Sequence, residues 1–195
     1  MTLAVILAGG RSARMGRDKA FVELAGRPLI AHALACLRPQ AARVVVNSNA
    51  DAAAFAAYGV EVFADDAPGV EGPLAGIVTA LARWPNEDIV TVAIDLPFVP
   101  HDLIARLRGD DDRCRFAQHD AQHALAVWWA PHSHASLALY LQSGRRDLRG
   151  YLARHGAAVA WTPHNGFNVN TPDDLLRAER LLTDLSSPSP RVNAA

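Results

Sequence analysis

The sequence predicts an α/β fold, a three-layer α/β/α sandwich around a mostly parallel central sheet. Short β-branched runs alternate with helix-like segments along roughly the first two thirds of the chain. A strand, a helix and a further strand form a right-handed crossover unit, which makes the strands parallel and covers both faces of the sheet. Most of the runs are nearly continuously apolar, as expected for strands buried on both faces. They lie at residues 3–7, 43–47, 60–63 and 88–94.

Proline and apolar spacing indicate the helices between these strands. Pro28 begins a segment that is predicted to be helical to Leu37, and Pro73 begins a second one that ends at Trp84. Proline suits the first helical position because it has no N–H group to leave unpaired. In the second segment apolar side chains recur at helical spacing on one face.

The pattern loosens after Pro100. A β-pair is predicted for residues 115–119 and 123–129, helices for 133–142 and 147–154, and a short strand for 157–161. The last helix is expected to begin at Thr171-Pro172-Asp173-Asp174. Threonine can cap this helix, proline fits its first turn, and aspartates favour the positive end of the helix dipole.

Length and composition favour one domain in the cytoplasm. The chain has 195 residues, half of them hydrophobic, which allows a substantial core. We expect a single domain over residues 1–185 and a disordered serine- and proline-rich tail at 186–195. The formal net charge of −1 calls for neither nucleic acid nor an anionic membrane as a partner. Cys36 and Cys114 form no CxxC pair, so we interpret them as buried thiols of a reducing compartment.

The strongest functional signal is the loop that follows the first strand. It reads Leu7-Ala8-Gly9-Gly10-Arg11-Ser12-Ala13-Arg14-Met15-Gly16-Arg17-Asp18-Lys19. Glycines here let the backbone approach a ligand closely, and loop amides can point together at phosphate oxygens. The Walker motif does not fit because Lys19 follows Asp18, and the dinucleotide fingerprint does not fit because Gly9 and Gly10 are adjacent. On the glycines alone, an ordinary flexible loop is an equally good interpretation.

The complete string resembles the signature loop of the molybdenum cofactor guanylyltransferases, within the wider group of Rossmann-like nucleotidyltransferases. The resemblance covers roughly residues 3–182 and continues in Gly72-Pro73-Leu74-Ala75-Gly76, Asp95-Leu96-Pro97 and Asn168-Val169-Asn170-Thr171-Pro172. The similar cytidylyltransferases usually have alanine in place of Gly9, which favours guanine here. The resemblance implies transfer of GMP from GTP to molybdopterin with Mg²⁺ as cofactor. It also implies transient contacts with proteins of molybdenum insertion and molybdoenzyme maturation.

Position and resemblance together give the catalytic candidates. Asp95 follows a buried run, so it lies at the carboxyl end of a central strand, where open α/β sheets bind ligands. A carboxylate there can hold Mg²⁺, and a helix cap or turn is the alternative interpretation. The resemblance implies catalysis by Lys19 and Asp95, with Arg14 as a helper. It also implies nucleotide binding by the loop residues Leu7, Ala8, Gly9 and Gly10.

Asn47 and Asp65 are the candidates for recognising the nucleotide. Asn47 ends the second strand, where its amide could read an edge of guanine. A strand-end turn residue is the alternative, and Asn49 is a nearby rival. The resemblance implies that Asp65 contacts the nucleotide, with Asp66 as its ambiguous neighbour.

Asn168 and Asn170 are the candidates for binding molybdopterin. They alternate across Val169, so in an extended segment both face the same way. They could instead satisfy backbone groups before the last helix, but the resemblance favours contact with the second substrate. We therefore expect a GTP-binding part at residues 1–100 and a pterin-side part at 101–185.

The remaining histidines and arginines of the second part have weaker assignments. The chain has close histidines at His119, His123, His132 and His134. No cysteine or glutamate completes a zinc set with them. His123 matches a family histidine that is often followed by proline, but Ala124 follows it here. The chain has three neighbouring basic residues at Arg145, Arg146 and Arg149. They could attract the molybdopterin phosphate, although a solvated helical face is the simpler interpretation.

The implied chemistry requires no nucleophilic side chain. A phosphate monoester is already a nucleophile near neutral pH, so positioning and charge neutralisation would suffice. The rival functions are a molybdopterin cytidylyltransferase, another small nucleotidyltransferase, and a non-catalytic nucleotide sensor. A sensor would depend less strictly on Lys19 and Asp95 than an enzyme would.

Overall fold

The computed structural model describes residues 2–9, 18–111, 113–119 and 122–186. The strands are β1 (Thr2–Leu7), β2 (Glu23–Leu24), β3 (Arg27–Pro28), β4 (Arg43–Asn47), β5 (Glu61–Phe63), β6 (Asp88–Ala93), β7 (Cys114–His119), β8 (Gln122–Trp129) and β9 (Gly156–Ala160). The α-helices are α1 (Leu29–Leu37), α2 (Pro73–Arg83), α3 (Leu103–Leu107), α4 (Ser133–Gln142), α5 (Leu148–His155) and α6 (Pro172–Ser186). Two 3₁₀ helices lie at Lys19–Phe21 and Ala52–Tyr58.

The central sheet has seven strands in the order β5-β4-β1-β6-β8-β7-β9. Strands β5, β4, β1 and β6 pair in parallel. Strand β8 runs antiparallel to both β6 and β7, and β9 is parallel to β7. The mostly parallel sheet that the sequence predicts is confirmed, with a reversal of direction at the β6–β8 pair.

Two apolar clusters lie on opposite faces of this sheet and make the fold three-layered. Side chains of β1 alternate between them, because successive residues of a strand point to opposite faces. Ala4 and Ile6 pack in the cluster that includes α1, α3 and α6. Leu3, Val5 and Leu7 pack in the cluster that includes α2, α4 and α5. Every residue of β1 is buried, which agrees with the continuously apolar run from Leu3 to Leu7.

The main departure from the predicted elements is at Pro28. We expected it to be the first residue of a helix, but it is extended, with φ −59° and ψ 146°, and pairs with Glu23 in the small β2–β3 hairpin. Helix α1 begins one residue later, at Leu29. The hairpin turns at Ala25 and Gly26, whose φ values of 51° and 70° match the positive φ values of a tight two-residue turn.

The C-terminal helix α6 begins at Pro172, as the sequence predicts, and extends to Ser186. Apart from Ser186, the predicted tail lies outside the described residues. Within the described part of the chain, we find no helix with the length and apolar character that a membrane span requires.

Both cysteines are free and buried, as predicted. The thiol of Cys36 donates to the carbonyl oxygen of Val99 at 3.4 Å, which ties α1 to the segment after β6. Burial raises the pKa of Cys36 to about 11, although the side-chain hydrogen bond from Gln40 acts in the opposite direction. Burial likewise raises the pKa of Cys114 to about 12. Both groups are therefore protonated and unreactive near neutral pH.

This burial predicts the reactivity of the thiols. At pH 8 the folded protein should react with Ellman's reagent at least about a hundredfold more slowly than the chain unfolded in guanidinium, because a raised pKa removes the thiolate and burial blocks access. The measurement is the rate of nitrothiobenzoate release in both states. Fast reaction of either thiol in the folded protein would contradict the assigned burial.

Candidate active site

The ends of the parallel strands gather four of the predicted residues at one edge of the sheet. Leu7, the last residue of β1, is in register with Asn47 of β4 and with Ala93 of β6. Asp65 and Asp95 follow the ends of β5 and β6 by two residues each. Ligands of open α/β sheets bind at this carboxyl edge, so the strand pairing itself creates the candidate site.

The loop after β1 is described at both of its ends. Leu7 and Ala8 are buried, and the N–H of Ala8 donates to the carbonyl oxygen of Asn47 at 2.9 Å. Gly10 and Arg14 lie outside the described residues, and their assigned roles stay predictions. The far end begins at Asp18, whose Oδ1 accepts from the N–H of Ala20 at 2.9 Å. This bond caps the 3₁₀ turn that carries Lys19.

Lys19 joins three distant parts of the chain. Its Nζ donates to Asp95 Oδ2 at 3.0 Å and to Asn170 Oδ1 at 2.8 Å, across 76 and 151 residues of sequence. The Lys19 and Asp95 side chains are only 15% and 18% exposed, so water screens the ion pair weakly. An ammonium has three N–H donors. The described contacts use two of them, which leaves one for a ligand oxygen.

The second oxygen of Asp95 fits a metal ion. Asp95 Oδ1 is buried and has no hydrogen-bond partner among the described residues. A buried carboxylate oxygen without a donor costs free energy, which a bound cation would recover. Mg²⁺ prefers such oxygens and is commonly held by one or two carboxylates together with water and substrate phosphates. The donor set at Asp95 therefore suits Mg²⁺.

The segment before α6 reaches the same place. The N–H of Val169 donates to the carbonyl oxygen of Asp95 at 2.9 Å, and the Val169 side chain is fully buried. Asn170 consequently faces Lys19. Asn168 differs, because its Nδ2 donates to the carbonyl oxygen of Gly166 at 3.4 Å. The structure thus brings Asn170 into the Lys19–Asp95 contact and gives Asn168 a local backbone contact.

Asn47 and Asn49, the rival candidates for reading the base, both contact Asp65. Asn47 Nδ2 donates to Asp65 Oδ1 at 2.8 Å, and Asn49 Nδ2 donates to Asp65 Oδ2 at 2.7 Å. The N–H of Asp65 donates back to Asn49 Oδ1 at 2.8 Å. Asn47 is only 2% exposed, whereas Asp65 is half-buried. The geometry therefore makes Asn47 and Asn49 supports for the Asp65 carboxylate.

Helix α2 contributes two residues to which sequence reasoning gave no role. A Cβ at Gly76 would lie 2.0 Å from Asn47 Oδ1, so only glycine lets α2 pack over that amide. A Cβ at Gly9 would lie 3.4 Å from the same oxygen, which is an ordinary contact. Thr79 Oγ1 accepts from the N–H of Asp66 at 2.8 Å. A glycine inside a helix is less favourable than alanine by about 1 kcal/mol, so its presence there indicates a packing or functional reason. This is the signal in the sequence that could have revealed Gly76.

Asp174 is a further residue to which the sequence assigned no role beyond helix charge. Its Oδ2 accepts from the backbone N–H groups of Asn170 and Thr171 at 3.1 and 3.0 Å, and from Thr171 Oγ1 at 2.9 Å. Burial by itself raises the pKa of Asp174, but these hydrogen bonds and the nearby Arg177 outweigh it and lower the pKa below its ordinary value. The group is therefore an ionised acceptor at neutral pH.

The histidines do not form a metal cluster within the described residues, and Arg145 and Arg146 make local contacts. No three histidine, cysteine, aspartate or glutamate side chains gather as a metal site within the described ranges, and the side chain of His123 lies outside them. Arg145 donates to Ser143 Oγ at 3.3 Å and lies over the ring of Tyr140 at 5.6 Å. Arg146 donates to nearby backbone carbonyl groups. These contacts are local to the α4–α5 connection.

Comparisons with known proteins identify the family. The family described as MobA-like NTP transferase domain matches residues 4–159. A molybdenum cofactor guanylyltransferase of Bradyrhizobium is 41% identical over 193 residues, 91% of each chain. One of Rhizobium johnstonii is 40% identical over 199 residues, 93% of each chain. The chain belongs to the molybdenum cofactor guanylyltransferase family.

Solved structures agree with membership of the guanylyltransferase family. Molybdopterin-guanine dinucleotide biosynthesis protein A of Archaeoglobus fulgidus aligns with a TM-score of 0.75 and 29% identity, over 94% of this chain and 100% of its own. A nucleotidyl transferase of Methanothermobacter aligns with a TM-score of 0.74 at 19% identity, over 95% and 99% of the two chains, and supports the fold. The predicted family, the Rossmann-like nucleotidyltransferase fold and the prediction of a nucleotidyltransferase enzyme are confirmed.

The close approach of α2 yields a prediction for this guanylyltransferase family member. Gly76→Ala should lower the free energy of unfolding by about 1–3 kcal/mol, because the new methyl group displaces the Asn47 amide from its hydrogen bond with Asp65. In an Asn47→Ala background the obstructing atoms are gone. The same change should then be neutral, or stabilising by up to about 1 kcal/mol through helix propensity.

Urea unfolding of the four proteins measures this double-mutant cycle. Equal effects of Gly76→Ala in both backgrounds would show that contact with Asn47 is not what requires glycine at this position.

Proposed function

We propose that this protein transfers the guanylyl group of GTP to the terminal phosphate of molybdopterin, forming molybdopterin guanine dinucleotide and releasing pyrophosphate. The observation that carries the proposal is the contact of Lys19 with Asp95 and Asn170. It joins the phosphate-binding loop, the candidate metal carboxylate and the segment assigned to the second substrate. Family membership supports the choice of both substrates.

In the proposed mechanism, an oxygen of the acceptor phosphate attacks the α-phosphorus of GTP while the bond to pyrophosphate breaks. The attacking monoester is already ionised, so no side chain has to remove a proton. Catalysis consists of holding the two substrates in line and compensating negative charge on the transferring group. Lys19 supplies positive charge from a position fixed by Asp95 and Asn170. The backbone amides of Ala8, Gly9 and Gly10 and the side chain of Arg14 are proposed to add to it.

We propose Mg²⁺ as the cofactor, held by Asp95. The buried Oδ1 atom, which lacks a donor among the described residues, supports this assignment. When bound, Mg²⁺ withdraws charge from the phosphate oxygens that it contacts. Lys19 already occupies the other carboxylate oxygen, so Asp95 offers the metal one oxygen and keeps the ammonium beside it.

Base choice is proposed to depend on Asp65. Guanine presents two neighbouring donors, N1–H and the N2 amino group, and a carboxylate presents two acceptors that can meet both. Cytosine presents an acceptor next to its amino donor, so a carboxylate would face one unfavourable contact. Asn47 and Asn49 each bond one Asp65 oxygen and so fix the plane of the carboxylate.

We propose that the chain divides its substrates between two parts. Residues 1–100 would hold the nucleotide and residues 101–185 the pterin side, with Asn168 and Asn170 as the candidate contacts of the acceptor. Lys19 and Asn170 meet across this division. We place the reaction in the cytoplasm, where the free, buried Cys36 and Cys114 stay reduced.

Transfer should be observed directly with molybdopterin, Mg²⁺ and labelled nucleotides supplied one at a time. We expect pyrophosphate release with GTP and a kcat/KM for GTP at least about tenfold above that for CTP, equivalent to about 1.4 kcal/mol of transition-state discrimination. A preference for CTP would overturn the assignment of guanylyl transfer, but the protein would still be a nucleotidyltransferase. Nucleotide binding without pyrophosphate release would instead identify a sensor.

Two matched variants distinguish the proposed role of Asp95 in metal binding from that of Asp65 in base choice. Asp95→Asn should raise the Mg²⁺ concentration needed for half-maximal activity by at least about tenfold, because an amide lacks the charge that holds a hard cation. Asp65→Asn should leave the Mg²⁺ response unchanged and reduce the preference for GTP over CTP. Each protein is titrated with Mg²⁺ at fixed GTP and then assayed with both nucleotides.

The two variants are controls for each other because each replaces an aspartate that follows its strand by two residues. Superimposable Mg²⁺ curves for Asp95→Asn and the wild type would remove Asp95 from the metal site. An unchanged GTP preference in Asp65→Asn would remove Asp65 from base choice.

A further inference from the structure

The carboxylate of Asp174 makes more contacts than capping of a helix requires. Thr171 and Asp174 occupy the first and fourth positions of a capping box at the start of α6. In such a box the aspartate accepts from the N–H of the capping residue, and here it does so from Thr171 at 3.0 Å. The same oxygen also accepts from the N–H of Asn170, which lies outside the box, at 3.1 Å.

The additional contact fixes the residue that touches Lys19. Val169 is anchored on one side of Asn170, because its N–H donates to the backbone carbonyl of Asp95. Asp174 anchors the other side through Asn170 and Thr171. The Asn170 side chain therefore projects from a segment that is held at both ends, and its Oδ1 meets Lys19 Nζ at 2.8 Å.

We propose that Asp174 is a positioning residue for nucleotidyl transfer, acting through Asn170 on Lys19. This inference rests on the proposed function, since it concerns the same lysine. Charge-assisted hydrogen bonds are roughly twice as strong as neutral ones, so an ionised Asp174 holds the segment more firmly than an amide would. Without it the Asn170 backbone has fewer restraints, and the ammonium loses a fixed partner.

The test compares Asp174→Asn with Asp173→Asn. Both changes remove one negative charge from the first turn of α6, so their effects on the helix dipole are similar. Asp173 is exposed, and its side chain forms no hydrogen bond or ion pair with the described residues. Asp174→Asn should lower kcat at saturating substrates by at least about fivefold and change KM for GTP by less than about twofold. Asp173→Asn should leave both within about twofold of the wild type.

A second comparison separates positioning from lost stability. Asp147→Asn weakens another helix cap, where the carboxylate accepts from the N–H of Gly150 and from the hydroxyl of Tyr140, in the opposite layer of the fold. It should lower the melting temperature and leave kcat unchanged. Asp174→Glu keeps the negative charge and introduces glutamate, which is common at this position of capping boxes. This variant should have a kcat within about threefold of the wild type.

The final arm repeats Asp174→Asn in a Lys19→Ala background. If Asp174 acts through Lys19, the second change should reduce kcat no further, whereas independent effects would multiply. A multiplied loss, or a kcat for Asp174→Asn equal to that for Asp173→Asn, would overturn the inference.

Failure of the proposed function is a separate outcome. It would show as a wild-type protein that releases no pyrophosphate with any nucleotide. The side-chain amide signals of Asn170 in ¹⁵N NMR spectra then test separately whether Asp174 holds Asn170 in place. They should shift in Asp174→Asn and not in Asp173→Asn, and unshifted signals would refute it.

Discussion

Asp95 stands two residues beyond a buried strand, and its side chain is only 18% exposed, with Oδ1 fully buried. Burying an ionised carboxylate is costly unless an opposite charge lies beside it. Lys19 supplies that charge on one oxygen, and the other has no donor within the described part of the chain. This requirement for compensation explains why a lysine from the loop after β1 lies at the end of β6. The electrostatics of one carboxylate thus determine where the loop ends.

The same negative charge organises the C-terminal segment. The backbone of Asp95 accepts from Val169, and the ammonium that its side chain holds is shared with Asn170. The two contacts of the ammonium are charge-assisted hydrogen bonds, which are stronger than neutral ones. A change at any member of this network is felt by the others, and single substitutions there are expected to be non-additive.

The position of the Asp65 carboxylate depends on packing rather than on a compensating charge. Asn47 lies under α2 because Gly76 has no side chain, and the amide that is confined there supports one oxygen of Asp65. Asn49 supports the other oxygen. The direction of the carboxylate is therefore a consequence of how closely a helix and a sheet approach. A residue that never touches a ligand can be essential to such a site.

The sequence predicted the sheet and most helices because those depend on local periodicity. Arg43–Asn47 and Ser133–Gln142 were predicted with the bounds that the structure has. The β2–β3 hairpin was missed because its turn is Ala25-Gly26, which lacks the asparagine or aspartate typical of tight turns, and because each strand has only two residues.

The predicted site residues Lys19, Asp95 and Asn170 are brought together by the fold. Their mutual contacts could not be predicted from the sequence because they join residues up to 151 positions apart. Asn47 shows the same limit. Whether its amide faces a base or Asp65 depends on the pairing of β4 with β5 and on the approach of α2, neither of which leaves a local pattern.

The reversal of strand direction next to β6 has an evolutionary consequence. Val92 of β6 faces Ala126 of β8, and β8 begins earlier, at Gln122, so the β7–β8 hairpin extends past the end of β6. Strands β7 and β8 are antiparallel and consecutive, so a short loop suffices to join them, whereas parallel strands need a crossover connection. Loops of this kind accept insertions at a small cost in folding free energy. Descendants of this fold can therefore remodel the end of the β7–β8 hairpin while inheriting the β1–β4–β6 half intact, so the two sides of one sheet are free to diverge at different speeds.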